Sequence, residues 1–532
     1  MKPPRVLIAD ELSPAAVAVF RDRGLEVEQR TGMSAKELVA VIGGFEGLAV
    51  RSATKVTGEV LAAAGRLRVV GRAGIGVDNI DVPGATQRGI VVMNTPLGNS
   101  ITTAEHAIAM LFSLARSIPQ ASASTHAGKW EKSRFLGVEL AGKTLGIVGC
   151  GNIGSIVADR AIGLHMKVVA SDPYLSPERA SELGVEKVEL DALFARSDFI
   201  TLHTPLTPQT RNVIDASALA RCRRGVRIVN CARGGLIDEV ALREALLSGQ
   251  VAGAALDVFL EEPARSHPLF GMEQVICTPH LGASTAEAQE NVAVQVAEQM
   301  SDFLLNGAVR HALNMPSVPA EDVPRLRPYM RLAEQLGSLV GQVVEGVIQD
   351  VAISYEGHAA GLHTRPLSDV VLAGMLRPSA AVVNMVNAPL IARERGIKVA
   401  ETHREDGGDF HTLMRVRVRA EKGGISLEGS LFRGQPRLVA VDEVALECEL
   451  TARMLYVRNH DTPGFIGALG SALGDAGINI ASFNLGRSGP GSNAVCLVSV
   501  DDEIPPHVLE HIRSLPGVVG VHALRFENTA GI

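Results

Sequence analysis

The sequence predicts an α/β fold: two doubly wound parallel-sheet domains in tandem, then an α+β domain, then a ferredoxin-like unit. Three observations carry that expectation. Short apolar runs alternate with helix-like stretches twice over, first from residue 5 to about 98 and again from "KTLGIVGCG" to "QVICTPHLG", the pattern of βα units around a parallel sheet. A glycine-rich turn separates a strand from a helix at the head of the second series. The last stretch, about 75 residues from "ARMLYVRN" to "VHALRF", reads strand, helix, strand, strand, helix, strand, the order of a ferredoxin-like unit.

In chain order, "VLIAD", "LAV", "LRVVG" and "IVVMN" are the strands of the first series, with "SPAAVAVFRDRG" and "SAKELVAVIGG" among its helices. A long helix follows in "SITTAEHAIAMLFSLARSI", where Ser100, Thr102 or Thr103 is available as a cap. The second series runs through "MKVVASD", "SDFITLH", "VRIVNCARGG" and "VAGAALDVF". Another long amphipathic pattern, "STAEAQENVAVQVAEQMSDFLLNG", leads to "NMPSVPAEDVPRLRPYM", whose close prolines mark a linker. Chain order therefore divides the sequence into 1–98 plus 284–312, then 99–283, 318–445 and 451–527.

Bulk properties narrow the function. A chain of 532 residues, 46% hydrophobic and 20% charged, is an ordinary globular protein of about three or four domains. The net charge of −7, with no dense Lys/Arg block, argues against a nucleic-acid or anionic-membrane partner, so an anionic ligand needs locally placed arginines. Cysteines at 150, 222, 231, 277, 448 and 496 form no CxxC pair, which fits a reducing compartment, and the expected location is the cytoplasm. "MKPPRVLIADELS" lacks the pattern of a signal peptide, and no run approaches the roughly 20 apolar residues of a membrane span.

"TLGIVGCGNIGSIVADRAIGLHMKVVASD" sets Gly149, Gly151 and Gly154 at GxGxxG spacing between strand and helix, and Asp172 lies 18 residues past the last glycine at the next strand end. Glycines there permit a tight turn, close approach of backbone to pyrophosphate and close helix packing, while the helix N-terminus offers N–H groups and a positive dipole. A dinucleotide is expected. Asp172 would accept from ribose hydroxyls and repel a 2′-phosphate, and Pro173 and Tyr174 bring no cation for one, so NAD is favoured over NADP.

Hydride transfer also needs a cation for a substrate carboxylate, a proton carrier at the reacting oxygen and a group that orients the carrier. Arg233, in "NCARGG", follows an apolar strand, where doubly wound sheets meet their ligands, and its guanidinium suits bidentate clamping of a carboxylate. An arginine there could also serve a surface ion pair; Gly234 and Gly235 point instead to a close approach. Glu261 and Glu262 alone would read as a solvated pair. Glu262, lying between Arg233 and His280, is the candidate orienter, since a nearby carboxylate favours imidazolium and fixes its tautomer. His280 in "CTPHLGAST" is the candidate proton carrier, with Gly282 and Ala283 small enough for backbone to approach a nicotinamide.

"GCGNIG", "NCARGG", "AALDVFLEEP" and "TPHLGAST", in this order and spacing, resemble the D-isomer-specific 2-hydroxyacid dehydrogenase family over about 310 residues. That resemblance implies a flavodoxin-like substrate domain beside a Rossmann NAD domain, with Arg233, Glu262 and His280 as the catalytic set. It also puts Asn152, Ile153, Asp172, Thr204, Cys231, Ala232, Asp257, Gly282 and Ala283 on cofactor contacts, together with Arg233 and His280. "VRSATKVT", "VGRAGIGVDNID" and "NTPLGNS" resemble the long-form branch that oxidises 3-phospho-D-glycerate to 3-phosphooxypyruvate on the way to L-serine. This implies that Arg51, Ser52, Arg72 and Gly74 bind substrate, with Lys132 or Arg134 reaching in from a neighbouring subunit of a homodimer or homotetramer. Other D-2-hydroxyacids, or a non-enzymatic NAD-sensing scaffold, are the competing readings.

The third segment resembles the intervening domain of the long form. "VRNHDTPGFIGALGSALGDAGINIASFNLGR" resembles an ACT domain, which implies L-serine as effector held by Asn459, Asp461 and Asn479. "HVLEH", from His507 to His511, matches an HxxEH zinc pattern, but only 21 residues follow it and no third-ligand helix fits there; no metal is expected.

Overall fold

The structure, a computed structural model, describes residues 2–380 and 382–526, and the expected C-terminal boundary at 527 falls just outside them. The first sheet holds β1 (Arg5–Ile8), β2 (Glu26–Gln29), β3 (Gly47–Val50), β4 (Val69–Arg72) and β5 (Val91–Asn94), all parallel in the order β2-β1-β3-β4-β5. "GLAV" and "VVMN" are buried throughout, as strands covered on both faces must be. The order reverses between β1 and β3, which opens a crevice beyond their carboxyl ends.

The second sheet holds β6 (Thr144–Val148), β7 (Lys167–Ser171), β8 (Glu186–Lys187), β9 (Phe199–Leu202), β10 (Val226–Asn230), β11 (Val251–Leu256) and β12 (Val275–Cys277), in the order β12-β11-β10-β9-β6-β7-β8. Every pairing in it is parallel, and its order reverses between β6 and β9.

Two helices link the sheets. Ser100–Arg116 carries the chain into the second unit, and Ala286–Asn306 returns it to pack on the helix Pro14–Asp22 and on β3, β4 and β5. Thr285 caps the returning helix by accepting from the Ala288 N–H. The outgoing helix has no such cap: Ser100 and Thr103 donate instead to the carbonyls of Pro96 and Asn99, 2.9 and 3.0 Å away, because a hydroxyl inside the first turn finds the carbonyl four residues back.

The third sheet, β13 (Ile348–Gly357), β14 (Lys398–Arg404), β15 (Thr412–Ala420), β16 (Gly423–Phe432), β17 (Gln435–Val441) and β18 (Val444–Cys448), is antiparallel except for β13 against β14. The helix Val323–Val343 packs on it and takes up the end of the expected linker. Pro324 sits in the first turn, where its missing N–H costs nothing, and buried Leu326, Tyr329 and Met330 hold the segment helical through Pro328. The fourth sheet, β19 (Arg453–His460), β20 (Ile480–Arg487), β21 (Asn493–Val500) and β22 (Val518–Arg525), has the order β20-β21-β19-β22 with helices Phe465–Asp475 and Pro506–Arg513.

One apolar core runs from the first sheet through Ala286–Asn306 and Val323–Val343 into the third and fourth sheets, whereas the second sheet has cores of its own on its two faces. No helix among the described residues is long and apolar enough to cross a membrane.

Candidate active site

Parallel strands deliver their carboxyl ends to one edge of a sheet. Read in spatial order β12-β11-β10-β9-β6-β7, that edge of the second sheet presents His280, Asp257, Cys231 with Arg233, Thr204, the Gly149 turn and Asp172. Strands about 4.8 Å apart bring these residues, scattered over more than a hundred positions of sequence, into a single row.

At the reversal between β6 and β9, Gly149 has φ 89°, and a Cβ on it would stand 2.6 Å from the carbonyl oxygen of His203. A Cβ on Gly154 would run into the Gly149 carbonyl, whereas one on Gly151 meets nothing within 4 Å. The helix Asn152–Gly163 starts directly behind, with Ile153 packed on the core. Asp172 accepts from the N–H groups of Cys150 and Tyr174, both at 2.8 Å, which fixes its carboxylate beside the turn. A tight turn, an open face at Gly151, a helix N-terminus and a fixed carboxylate fit a dinucleotide and its ribose.

His280 has φ 56°, an uncommon conformation for a residue with a side chain. Its N–H donates to the Asp257 carbonyl at 2.9 Å, and its Nδ1 lies 2.6 Å from Glu262 Oε2. Glu262 also accepts from the Phe259 N–H at 3.0 Å. Burial alone would push the Glu262 carboxyl up; the hydrogen bonds from His280 and Phe259 outweigh it and hold the group below the usual carboxylate range. The imidazole is 49% exposed, free on its other edge to meet a substrate.

Arg233 projects toward the first unit. Its Nε donates to Asp78 Oδ2 at 3.0 Å, and a Cβ on Gly76 would stand 2.7 Å from its Cζ. The turn behind it is fixed by Asn230, whose Nδ2 donates to the Arg233 carbonyl at 2.9 Å and whose Oδ1 accepts from the Ala232 N–H at 3.0 Å.

Arg72, at the end of β4, folds over Gly74, where a Cβ would stand 2.9 Å from its Cζ. Its Nε is buried without a partner. Burial pulls the Arg72 guanidinium down to about 10; Arg233 and Arg51 pull the same way and Asp78 opposes them. Three cations therefore converge. The loop bearing Arg51 and exposed Ser52 is held by Asp10, which accepts from the Arg51 N–H at 2.6 Å and the Thr54 hydroxyl at 2.6 Å. Gly74 donates from its N–H to the Thr95 hydroxyl at 2.7 Å.

The sequence reading missed Gly76, Asp78 and Asn230. Within its own chain Arg134, a candidate to reach a neighbouring subunit, pairs with Glu131 and Glu273. Asn459, Asp461 and Asn479 are not joined by any hydrogen bond among the described residues. Asn459 donates to the His460 carbonyl, Asp461 pairs with Arg487 at 2.7 Å, and Asn479 donates to Asp501 at 2.6 Å.

Residues 108–282 match the model of the D-isomer specific 2-hydroxyacid dehydrogenase NAD binding domain, 325–442 that of the D-3-phosphoglycerate dehydrogenase intervening domain, and 453–517 that of the ACT domain. The chain is 43% identical to a D-3-phosphoglycerate dehydrogenase of Synechocystis sp., over 98% of this chain and 94% of the relative. It is 42% identical to one of Methanocaldococcus jannaschii, over 97% and 99%. Among solved structures, a glyoxylate reductase from Paecilomyes thermophila aligns with TM-score 0.55 at 29% identity, covering 59% of this chain and 99% of that one. The apo-structure of D-lactate dehydrogenase from Escherichia coli aligns with TM-score 0.52 at 28% identity, over 58% and 99%.

Proposed function

The chain belongs to the D-3-phosphoglycerate dehydrogenase family, and from that premise we propose how its residues perform the oxidation of 3-phospho-D-glycerate to 3-phosphooxypyruvate. The observation that carries the reading is the meeting of Arg233 with the Gly74–Asp78 loop and Arg72, which gathers cations from both units at the edge that also bears His280 and Glu262.

Arg233 clamps the substrate carboxylate and steadies the C2 oxygen. His280 takes the hydroxyl proton while hydride leaves C2, and Glu262 holds the imidazole by Nδ1 and stabilises the imidazolium that results. NAD, when bound, supplies the hydride acceptor. Gly149, Gly151, Asn152, Ile153, Gly154, Asp172 and Thr204 hold the dinucleotide, while Cys231, Ala232, Asp257, Gly282 and Ala283 line its nicotinamide end. Arg51, Ser52, Arg72 and Gly74 receive the phosphate. Separate cores on either side of the cleft let the units close and expel water around the reacting atoms.

The test is NAD reduction with 3-phosphoglycerate against D-glycerate and D-lactate. A preference for the phosphorylated acid is expected, and equal turnover of all three overturns the phosphate assignment.

Two finer readings follow. A second copy docks on the exposed apolar residues of the segment 112–136, Phe112 and Ile118 together with Trp130 and Leu136; dissociation on dilution should follow Ile118→Asp. The ACT unit is the place for L-serine, with Asn459, Asp461 and Asn479 as its contacts; no change in rate or thermal midpoint at millimolar serine counts against it.

A further inference from the structure

The helix that carries the chain into the second unit brings His106 against the site from behind. Its Nε2 lies 3.3 Å from Asp257 Oδ1 and 3.3 Å from Thr278 Oγ1. Thr278 donates its hydroxyl to the same Oδ1 at 2.6 Å. The Thr278 hydroxyl spends its hydrogen on Asp257 Oδ1, so its oxygen can only accept; the proton therefore sits on Nε2 and His106 donates to Thr278 Oγ1, with Asp257 Oδ1 in ion-pair range.

Asp257 is 0% exposed, and it ties down the strand end that bears His280. Its Oδ1 accepts from the Leu281 N–H at 2.7 Å and its Oδ2 from the Gly282 N–H at 2.8 Å. Those are the two residues after His280, whose own N–H is held by the Asp257 carbonyl. One buried aspartate thus secures three successive N–H groups around a histidine in a left-handed conformation. A buried carboxylate is tolerated only while its lone pairs are met. Burial pushes the Asp257 carboxyl up, and the donors, His106 first among them, bring it below the usual range.

His106, Cys231 and Asp257 present ligand atoms within 4.8 Å of one another, the spacing of a metal trio. The chemistry does not fit one. Asp257 already accepts from Thr278, Leu281 and Gly282, and burial with the neighbouring Asp257 charge pushes the Cys231 thiol up.

We propose that His106 is a positioning residue for the proton-transfer step: by donating to Thr278 Oγ1 beside the Asp257 carboxylate it aims the Thr278 hydroxyl at Oδ1, and Asp257 in turn holds His280 in place against Glu262. This rests on the reading of His280 as proton carrier.

The experiment compares His106→Leu and His106→Gln, using the acid that the wild-type enzyme oxidises fastest, so that an error in substrate assignment does not touch the result. The leucine variant should lose about 10- to 100-fold in kcat, the range for one hydrogen bond to a charged group, while KM for substrate and the Kd for NADH change less than about 3-fold. Glutamine keeps a donor and should recover most of kcat. Thr278→Val, which removes the hydroxyl that joins His106 to Oδ1, should show the same kcat-only loss and carries the test if the leucine variant does not fold. Wild-type kcat in either soluble variant, or a glutamine variant no better than leucine, overturns the proposal. Loss confined to KM or NADH affinity makes His106 a cofactor-site support and also overturns it. If His280→Asn retains wild-type turnover while His106→Leu loses it, the reading of His280 has failed rather than the importance of His106.

Discussion

The sharpest consequence of the geometry concerns a residue with no functional group. Gly76 does not have a positive φ, so alanine is conformationally acceptable there. Its added Cβ would stand 2.7 Å from Arg233 Cζ and 2.9 Å from Asp78 Oδ2. The nearest atom, Arg233 Nη2, would lie only 1.7 Å away, and since non-bonded heavy atoms rest about 3.5 Å apart the guanidinium must retreat by about 2 Å or swing away. The obstacle is the end of a flexible side chain rather than backbone, so the protein relieves the clash by giving up the Arg233 position and not its fold.

A misplacement of about 1 Å in a group that orients substrate costs on the order of 10²-fold in rate. Gly76→Ala should therefore lower kcat/KM by about that factor or more, and the Kd for NADH should change much less, since the glycine turn and Asp172 are not touched. The thermal midpoint should move by less than about 3 °C, as expected for a surface change of well under 1 kcal/mol. Steady-state kinetics, an NADH fluorescence titration and a melting curve decide it. Wild-type kcat/KM would mean that Arg233 does not need this position, and the role given to it would fall. A collapse of the melting temperature would mean that backbone, not the guanidinium, pays for the methyl group.

Three further outcomes follow from the same structure. Gly151→Ala should leave the fold intact, since its Cβ meets nothing within 4 Å, yet weaken NADH binding by about tenfold or more by blocking close approach of pyrophosphate; an unchanged Kd removes the turn from the cofactor site. His280→Asn should lower turnover by about 10² to 10⁴ with NADH affinity preserved, and wild-type turnover removes His280 from the mechanism. Asp369 is 3% exposed, and burial pushes its carboxyl up to about 7, with Glu401 adding to the rise and Arg365 opposing it. Its unfolded value is near 3.9, so the folded state loses stability as pH rises from there through 7, and Asp369→Asn should stabilise the protein by on the order of 2–4 kcal/mol at pH 8 and little near pH 4; equal melting shifts at both pH values refute this.

Legibility in the sequence followed the range of the interactions. The carboxyl ends of parallel strands are set by the βα repeat, so Arg233, Asp257, His280 and Asp172 could be placed by reading where apolar runs stop. The roles of Gly149 and Gly154 are local as well. What stayed hidden were partners joined only by folding: Asp78 and Arg233 are 155 residues apart, and Arg134 and Glu273 are 139 apart. His106 stood in plain view inside "TAEHAIAM", but an alternation of apolar residues assigns a face to a helix and not a carboxylate to a histidine. The prolines near 324 misled for a related reason: local propensity marks a break, while the burial of Leu326, Tyr329 and Met330 decides for helix.

The electrostatics of the cleft bear on which acid it serves. The chain has a net charge of −7, yet Arg51, Arg72 and Arg233 stand close enough for each of the other two to lower the affinity of Arg72 for its proton. Asp78 answers Arg233, and Asp10 is occupied by the backbone and hydroxyl of the Arg51–Thr54 loop. Among the described residues the Arg72 Nε makes no hydrogen bond. A buried donor left unmet costs about 1–3 kcal/mol, more when charged, and mutual repulsion adds to it. An acid with a single carboxylate can answer Arg233 and leave the other two uncompensated. A substrate with a second anionic group relieves them as well, and it gains this energy in excess of its own contacts. On the proposed assignment of these arginines, discrimination for the phosphorylated acid would arise as much from what the site withholds from a smaller ligand as from what it offers the right one.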